Sequence, residues 1–450
     1  METNIAALVE KVRALILSQS ADELIGLIDD LHPADIVDML QSLDDSEREA
    51  FFRIIPVEKA GEILGELEFE DQAGIIDSIG LSRSSQIISE MATDDAADLI
   101  AELPADHRDQ ILDAMNSEGE ELRGLLRYEE DSSGGIMTTE YVAVKADWTA
   151  EYTMAQLRKS APDVHTAYYI YVIDAADRLV GVISLRELVI ADLNARIADI
   201  MDDNVQSVHV DADQEEVVQM FQKYRYLALP VVDSDGVLTG IITADDVLDV
   251  AEEEATEDIQ KIAAVVPLDK PYFSTRLREL FKSRIVWLMV LFLAESITGG
   301  ILQKFSDTMK SAIELTFFIP LLIDSGGNAG AQAATTVIRG LAVRDIRIKD
   351  LGRVLGRELA LGLILGCAMA AVAFLRAGRV GGGFEIPMVV AASVFAIVTM
   401  ATAVGALLPM AAVALKVDPA TMSAPLVTTI VDGLGLMIYF FIAKAVLLGA

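Results

Sequence analysis

The sequence predicts a multidomain membrane protein, with an all-α superhelical N-terminal domain, an α/β tandem repeat, a connecting helix and a five-helix α-helical transmembrane domain. Three observations carry that prediction. Charge is divided unevenly: of 70 acids and 35 bases, 59 acids and 19 bases precede residue 271, a net of −40, whereas the remaining 11 acids and 16 bases give +5. The apolar period shifts from helical to strand-like near Gly134. Beyond residue 284, five stretches approach or exceed the ~20 apolar residues that cross a bilayer.

The first part, residues 1–130, holds short periodic segments such as ADIVDMLQSL, KAGEILGEL and DDAADLIAELP. These predict short helices stacked as a superhelix, broken near Pro33, Pro56 and Pro104, where proline can begin a helix but not continue one. Two strand-rich stretches follow, residues 131–200 and 201–250, an internal repeat of about sixty residues. Each copy opens on Ile-Met (Ile136-Met137, Ile200-Met201). Each closes on Gly-Val-Ile or Gly-Ile-Ile, followed by a hydroxyl and an acid three residues on (Ser184 and Glu187; Thr243 and Asp246). A polar helix over about Asp245–Ala264, within residues 245–270, carries Asp249, Glu252, Glu253, Glu254, Glu257 and Asp258. Pro267, Pro271 and a basic cluster lead from it into the membrane domain, residues 271–450.

The five predicted spans are Ile285–Leu302, Ile313–Val343, Leu355–Leu375, Ile386–Leu415 and Pro425–Leu448, the second and fourth long enough to tilt or break. Bases cluster before the first span (Arg276, Arg278, Lys282, Arg284) and between the second and third (Arg344, Arg347, Lys349, Arg353, Arg357). By the positive-inside rule the N-terminus is inside, and five crossings leave the C-terminus outside. The first twenty residues lack a basic start, apolar core and cleavage site, so no secretory signal is expected and the acidic half stays in the cytoplasm.

An acidic half of this strength repels nucleic acid and attracts divalent cations, because close-set carboxylates relieve their repulsion by sharing a metal. Taken singly, each acid reads equally well as solvated surface. One cysteine, Cys367, excludes an intrachain disulfide. Four scattered histidines (His32, His107, His165, His209) give no Cys/His zinc cluster. No Gly-x4-Gly-Lys-Ser/Thr loop is present and nothing resembles an enzyme, so a bound nucleotide would be an effector.

Chemistry concentrates in two spans. Phe318 to Gln332 places a proline, an acid, three glycines and two amides at membrane depth, which lipid does not tolerate; the segment is expected to be helix-broken and to face a pore. Close helix packing through small residues is the alternative. Asp432 lies within the fifth span, with Thr428 one turn earlier and Lys444 its nearest base, three turns away. Its carboxylate needs a cation, water or a proton there. Since Mg²⁺ gives up its waters reluctantly, a few carboxylates with carbonyls and hydroxyls would hold it largely hydrated. One acid per chain suggests a site shared by two chains.

The repeat resembles a tandem pair of cystathionine-β-synthase-type (CBS) domains, which commonly bind adenine nucleotides or ions as regulatory modules. With Arg127-Tyr-Glu-Glu-Asp131 and Gly134-Gly135 ahead of it, Ala255-Thr-Glu-Asp-Ile259 in the connecting helix, the Pro320 to Gln332 run and Val417-Asp-Pro419, the whole chain is similar to the MgtE family of Mg²⁺ channels. That resemblance implies a homodimer in the lipid bilayer of the inner membrane, with a pore between second and fifth spans and Asp432 holding hydrated Mg²⁺. It implies regulatory Mg²⁺ at Glu62, Asp94, Asp98 and Asp246, and at Asp249, Glu257, Asp258, Asp213, Glu215 and Asp418. Metal would bridge these acids and let the connecting helix plug the pore. ATP contacts are implied at Tyr169, Arg186, Glu187 and Tyr226. The sequence departs from the family's common pattern at Ala424, where asparagine is frequent, at Asp324, an added carboxylate, and at Arg225, where an acid can stand. A divalent-cation carrier for Co²⁺ or exchange-coupled Mg²⁺ and a membrane-tethered nucleotide sensor are the rival readings.

Overall fold

The computed structural model describes residues 2–447 except 19, 30, 161–167, 269, 271 and 380–382; His165, Pro271 and Leu448 lie outside the described residues. Two compact units, Met1–Ala251 and Glu252–Ala450, divide the chain.

The first unit opens with ten helices: α1 (Glu2–Ser18), α2 (Ala21–Ile28), α3 (Pro33–Leu40), α4 (Asp45–Ile54), α5 (Val57–Gly65), α6 (Phe69–Ile79), α7 (Leu81–Ile88), α8 (Thr93–Glu102), α9 (Ala105–Ala114) and α10 (Ser117–Leu125). From α3 onward each helix packs on the second one after it, α3 on α5 on α7 on α9 and α4 on α6 on α8 on α10, so the chain winds as the predicted superhelix. Prolines mark the starts: Pro33 is the first residue of α3, and Pro56 and Pro104 are the N-caps of α5 and α9. Helices this short are marginal alone, and burial of Ile36, Leu40, Phe51, Phe52, Ile63 and Ile100 in one continuous core holds them.

Next come two copies of one α/β pattern. The first runs β1 (Ala143–Lys145), α11 (Ala150–Ser160), β2 (Tyr169–Ile173), β3 (Leu179–Ser184), α12 (Leu185–Ile190) and the single turn α13 (Ile197–Ile200). The second runs β4 (Val208–His209), α14 (Gln214–Tyr224), β5 (Ala228–Val232), β6 (Leu238–Thr243) and α15 (Ala244–Ile262). Both sheets pair the first strand parallel to the second and the second antiparallel to the third. Their registers correspond, Tyr169 opposite Ser184 and Ala228 opposite Thr243.

The motif glycines explain the Ile-Met openings, and they act between copies rather than within one. Thr138 exchanges two backbone hydrogen bonds with Ile241 of the second copy, and Asp202 exchanges two with Val182 of the first. A Cβ on Gly240 would stand 2.6 Å from the Met137 sulfur, and one on Gly181 would stand 2.5 Å from that of Met201. Each opening segment therefore crosses to the other sheet, and only glycine leaves room for its methionine.

In the second unit, α16 (Leu277–Lys304), the short α17 (Ser306–Ser311), α18 (Ile319–Ala342), α19 (Leu351–Ala377), α20 (Glu385–Ala414) and α21 (Ala424–Leu447) follow the end of α15. Among the described residues, four helical stretches are long and apolar enough to cross a membrane: Leu277–Lys304, Ile348–Ala377, Glu385–Ala414 and Ala424–Leu447. The fifth long helix, α18, has 24 residues and a more polar sequence. α20 lies against α18, α19 and α21, and half of its most apolar window is buried, against 6% for α16.

The second predicted span requires a correction. It is not broken within Pro320 to Gln332: a 3-10 helix over Ile313–Phe318 gives way at Ile319 to a continuous α-helix. Pro320 lies in the first turn, where its absent N–H costs nothing. Gly326, Gly327 and Gly330 are buried, and a Cβ on Gly327 would meet Thr428 at 2.7 Å while one on Gly330 would meet Val427 and Val431 at 3.2 Å. These glycines serve close helix packing inside an intact helix. The fourth span is likewise one 30-residue helix, with Pro409 inside it.

Candidate functional site

The membrane unit carries the first candidate. Burial is one-sided on α18: Gly326, Gly327, Gly330, Ala333, Ala334, Val337 and Ile338 are buried, whereas Asp324, Asn328, Gln332, Thr335 and Arg339 are exposed. At 100° per residue those five fall within about a quarter of the helix circumference, one polar stripe running its length. Asp432 on α21 stands beside the packed face. It is 8% exposed, its Oδ1 has no hydrogen-bond partner among the described residues, and that atom would lie 3.5 Å from a Cβ on Gly327. Thr428, as predicted, lies one turn away against the same glycine. The charges that act on Asp432 are carboxylates, Glu295 of α16 first and Asp324 second.

Glu295 was not singled out from the sequence, although the rule that selects Asp432 applies to it equally: it is the one acid between Lys282 and Lys304.

A second candidate sits in the first unit, where the N-terminal ends of α8 and α15 come together. Thr93 is anchored there, its Oγ1 3.0 Å from the Oγ1 of Thr138 and accepting from the Thr139 amide at 2.9 Å. This places Asp94, in the first turn of α8 and 8% exposed, within the field of Asp246 in the first turn of α15. Burial, then the Asp246 charge, pushes the Asp94 carboxyl up to about 7. Burial also raises Asp246, against the hydroxyl of Thr243, which donates to its Oδ2. Close acids suit a hard, oxygen-liganded cation. Glu62 is held by Lys59 at 2.7 Å, Asp98 is exposed on α8, and Asp249 is exposed one turn beyond Asp246. No three carboxylates, histidines or cysteines converge on one metal-sized position among the described residues.

Elsewhere in that unit, Asp213 is the N-cap of α14 and accepts from the Glu215 amide at 2.8 Å. Arg225 ends α14 in the left-handed region, at φ 59°.

Around Asp418, in the second unit, a cation is already present. Lys261 Nζ donates to Glu257 Oε1 at 2.6 Å and to Asp418 Oδ2 at 2.8 Å, while Asp418 Oδ1 accepts from the Ala420 amide at 2.8 Å. Asp258 is half-buried nearby; burial and the Asp418 charge raise its carboxyl. Lys261, which the sequence reading passed over, joins the acidic helix end to the segment before α21.

Of the residues expected to contact a nucleotide, Tyr169, Arg186 and Glu187 lie at one end of the first sheet, and Tyr226 lies just before β5 of the second. Strand register sets Tyr169 beside Ser184, whose hydroxyl and amide contact Glu187 at 2.7 and 2.9 Å; those hydrogen bonds hold the Glu187 carboxyl below its ordinary range. Arg186 is exposed on the same turn, and Tyr226, close enough to feel Tyr169, stacks on Tyr224 with centroids 5.3 Å apart. Two aromatic faces, a guanidinium and a carboxylate can receive a base, phosphate and ribose.

Residues 319–442 match the family MgtE, described as a divalent cation transporter. Residues 31–131 match the MgtE intracellular N domain, and residues 133–194 and 197–253 each match the CBS domain. The magnesium transporter MgtE of Thermus thermophilus is 41% identical over 428 residues, 94% of either chain, and that of Bacillus subtilis is 34% identical over 421 residues, 93% of either. Among solved structures, the soluble part of a magnesium transporter aligns with TM-score 0.53 at 34% identity, over 56% of this chain and 99% of the other. The cytosolic domain of the Mg²⁺ channel MgtE in complex with ATP aligns with TM-score 0.51 at 38% identity, over 54% of this chain and 99% of the other. The chain belongs to the MgtE family of magnesium transporters, membrane proteins and not enzymes.

Proposed function

We propose that this protein is a Mg²⁺-selective channel, a homodimer in the inner membrane with its N-terminus in the cytoplasm and its C-terminus outside. The observation that carries the reading is the exposed polar stripe of α18 beside the buried, unpartnered Asp432. In hydrocarbon a stripe holding an acid, two amides and a base is untenable, so it lines water, and a second copy of the chain would close that path. Mg²⁺ would pass Asp432 largely hydrated, driven by the membrane potential, about 2.3 kcal/mol per charge per 100 mV.

Gating by cytoplasmic Mg²⁺ is the second half of the proposal. Metal at Glu62, Asp94, Asp98 and Asp246, and at Asp213, Glu215, Asp249, Glu257, Asp258 and Asp418, would relieve carboxylate repulsion and favour the closed state. Several weak sites acting together give the differential affinity such a shift requires. The approach of Asp94 to Asp246 supports this, because two carboxylates that repel each other gain from sharing a cation. ATP, bound in the crystallised relative, would act as an effector at Tyr169, Arg186, Glu187 and Tyr226. In this reading the working parts are residues 1–130, 131–200, 201–250, 245–270 and 271–450.

The test is a patch recording from the purified chain while Mg²⁺ is raised on the face bearing the N-terminus. Unitary divalent currents at low Mg²⁺ that vanish at high Mg²⁺, and that Asp432→Asn abolishes in a folded dimer, are expected. Slow saturating flux insensitive to that Mg²⁺ would establish a carrier instead, and full flux in Asp432→Asn would end the pore assignment.

A further inference from the structure

The first turns of α16 have one packed face and one open face. On the packed face Ser283 is buried, and its carbonyl accepts the Val266 amide at 2.9 Å, so the chain after α15 lies against it. On the open face Leu277 is 83% exposed, with Phe281, also exposed, four residues on. At 100° per residue the exposed Leu288 and Phe292 continue the same line along the helix. That line belongs to a helix long and apolar enough to cross a membrane, so lipid covers it, and the first turns share its outlook. Just before the helix Phe273 is 98% exposed, set edge-on to Tyr272 with ring centroids 5.4 Å apart. The buried Thr275 shapes the turn that presents it, donating its hydroxyl to the Lys270 carbonyl at 3.3 Å.

Charge frames this apolar line. Arg284 lies to one side of it and Arg278 and Lys282 to the other, all three exposed. In a chain whose acids outnumber its bases two to one, none of the three has an ion-pair partner among the described residues. Glu279, the acid within the same turns, instead accepts from the Arg276 amide at 3.3 Å. Aromatic rings at the end of a span sit at headgroup level, and long bases beside them lay their stems on apolar surface while keeping the charge outermost. An anionic phospholipid complements both parts, whereas the ammonium of a zwitterionic one cancels its own phosphate.

We propose that the start of α16 is a binding surface for anionic phospholipid, with Phe273, Leu277 and Phe281 against the acyl region and Arg278, Lys282 and Arg284 on the headgroup phosphate. The inference holds whether the membrane unit conducts as a channel or works as a carrier. One base near an anionic membrane surface changes affinity about fivefold, so three confer a clear preference for the charged lipid.

The experiment uses the full-length chain with Trp148→Phe, which leaves Trp287, three residues beyond Arg284, as its sole tryptophan. In vesicles mixing phosphatidylglycerol with phosphatidylcholine, with chelator present, brominated acyl chains on one lipid or the other quench Trp287 according to that lipid's occupancy beside α16. Phosphatidylglycerol is expected to be favoured about fivefold or more, and the combined Arg278→Gln, Lys282→Gln and Arg284→Gln variant should fall to near parity. Arg278→Lys with Arg284→Lys keeps the charges and should keep the preference, which it would lose if the arginines were only structural. Equal quenching by both lipids in the parent, or an undiminished preference in the neutralised variant, would overturn the proposal. So would loss of the preference on adding glycerol phosphate, which would mark a site for free phosphate. A neutralised variant that no longer dimerises yet keeps its lipid preference would show that a second copy covers this face, with the same consequence. Should that variant fail to assemble, Lys282→Gln alone is expected to lower the preference by about twofold or more, and an unchanged value would refute the assignment.

Discussion

Replacing Asp94 by asparagine should stabilise the metal-free protein, although it deletes a proposed regulatory ligand. The carboxyl titrates near 7 in the folded chain against 3.8 ordinarily, because burial and the Asp246 charge disfavour its ionised form. A raised folded value means that the folded state holds the proton more tightly than the unfolded one. The contribution to stability is then complete below pH 3.8 and is lost as pH rises to about 7. Above that, the ionised group costs up to ~4 kcal/mol, at 1.36 kcal/mol per unit. Asparagine keeps the oxygen that accepts from the Asp95 amide at 3.1 Å and carries no charge. Even half of the full gain, ~2 kcal/mol, would raise the melting midpoint of a unit this size by about 4–8 °C. Calorimetry on residues 1–262 with chelator, at pH 5 and pH 8, tests this; a relative's corresponding soluble part has been crystallised on its own. The advantage of Asp94→Asn should be small at pH 5, large at pH 8, and narrowed at pH 8 by millimolar Mg²⁺, which stabilises only the parent. An asparagine variant no more stable than the parent at pH 8 without metal would refute the reasoning.

Two further outcomes follow, one from the Lys261 contacts and one from the close approach of Gly405 on α20 to Gly330 on α18. Lys261→Met removes the ammonium held by Glu257 and Asp418 and leaves those acids facing Asp258, so the metal-free full chain should lose about 1–2 kcal/mol in thermal unfolding, with Mg²⁺ restoring more in the variant than in the parent. Gly405→Ala places a methyl group against the backbone carbonyl of Gly330, which cannot move without shifting α18 from α20; a loss of about 1–3 kcal/mol is expected in detergent, and an unchanged midpoint would show that the two helices do not pack at this point.

Most of the architecture was legible because its signals are periodic. The stacked short helices showed through their apolar period and three prolines, and the α/β repeat through its paired motifs. What the repeat could not disclose was its crossing: Ile136-Met137 and Gly181 belong to one copy in sequence, yet Met137 packs at Gly240 and Met201 at Gly181. Sequence proximity favours pairing within a copy, whereas the tertiary fold matched the two copies to each other. The acids divided in a similar way. Asp94 and Asp246 were legible as a pair through the resemblance, but that Lys261 already compensates Asp418 depends on the approach of a helix end to a loop 157 residues away, for which no local pattern exists.

The most instructive difference is α18. Pore lining and close packing were weighed as exclusive accounts of its glycines and amides, and a break in the helix was expected because so polar a segment has no place in lipid. In the fold the small residues and the polar side chains occupy opposite faces. Glycines at 326, 327 and 330 bring α20 and α21 close on one side, and Asp324, Asn328 and Gln332 recur every four residues on the other. A break would free backbone groups needing partners at membrane depth, and the continuous helix satisfies those groups internally while still presenting polar side chains to water. In the proposed channel, packing is in this sense a condition for the pore. Only a helix drawn tightly against its neighbours by small residues leaves its remaining face as the one surface a cation could follow, and brings Asp432 of the adjacent helix to the edge of that surface.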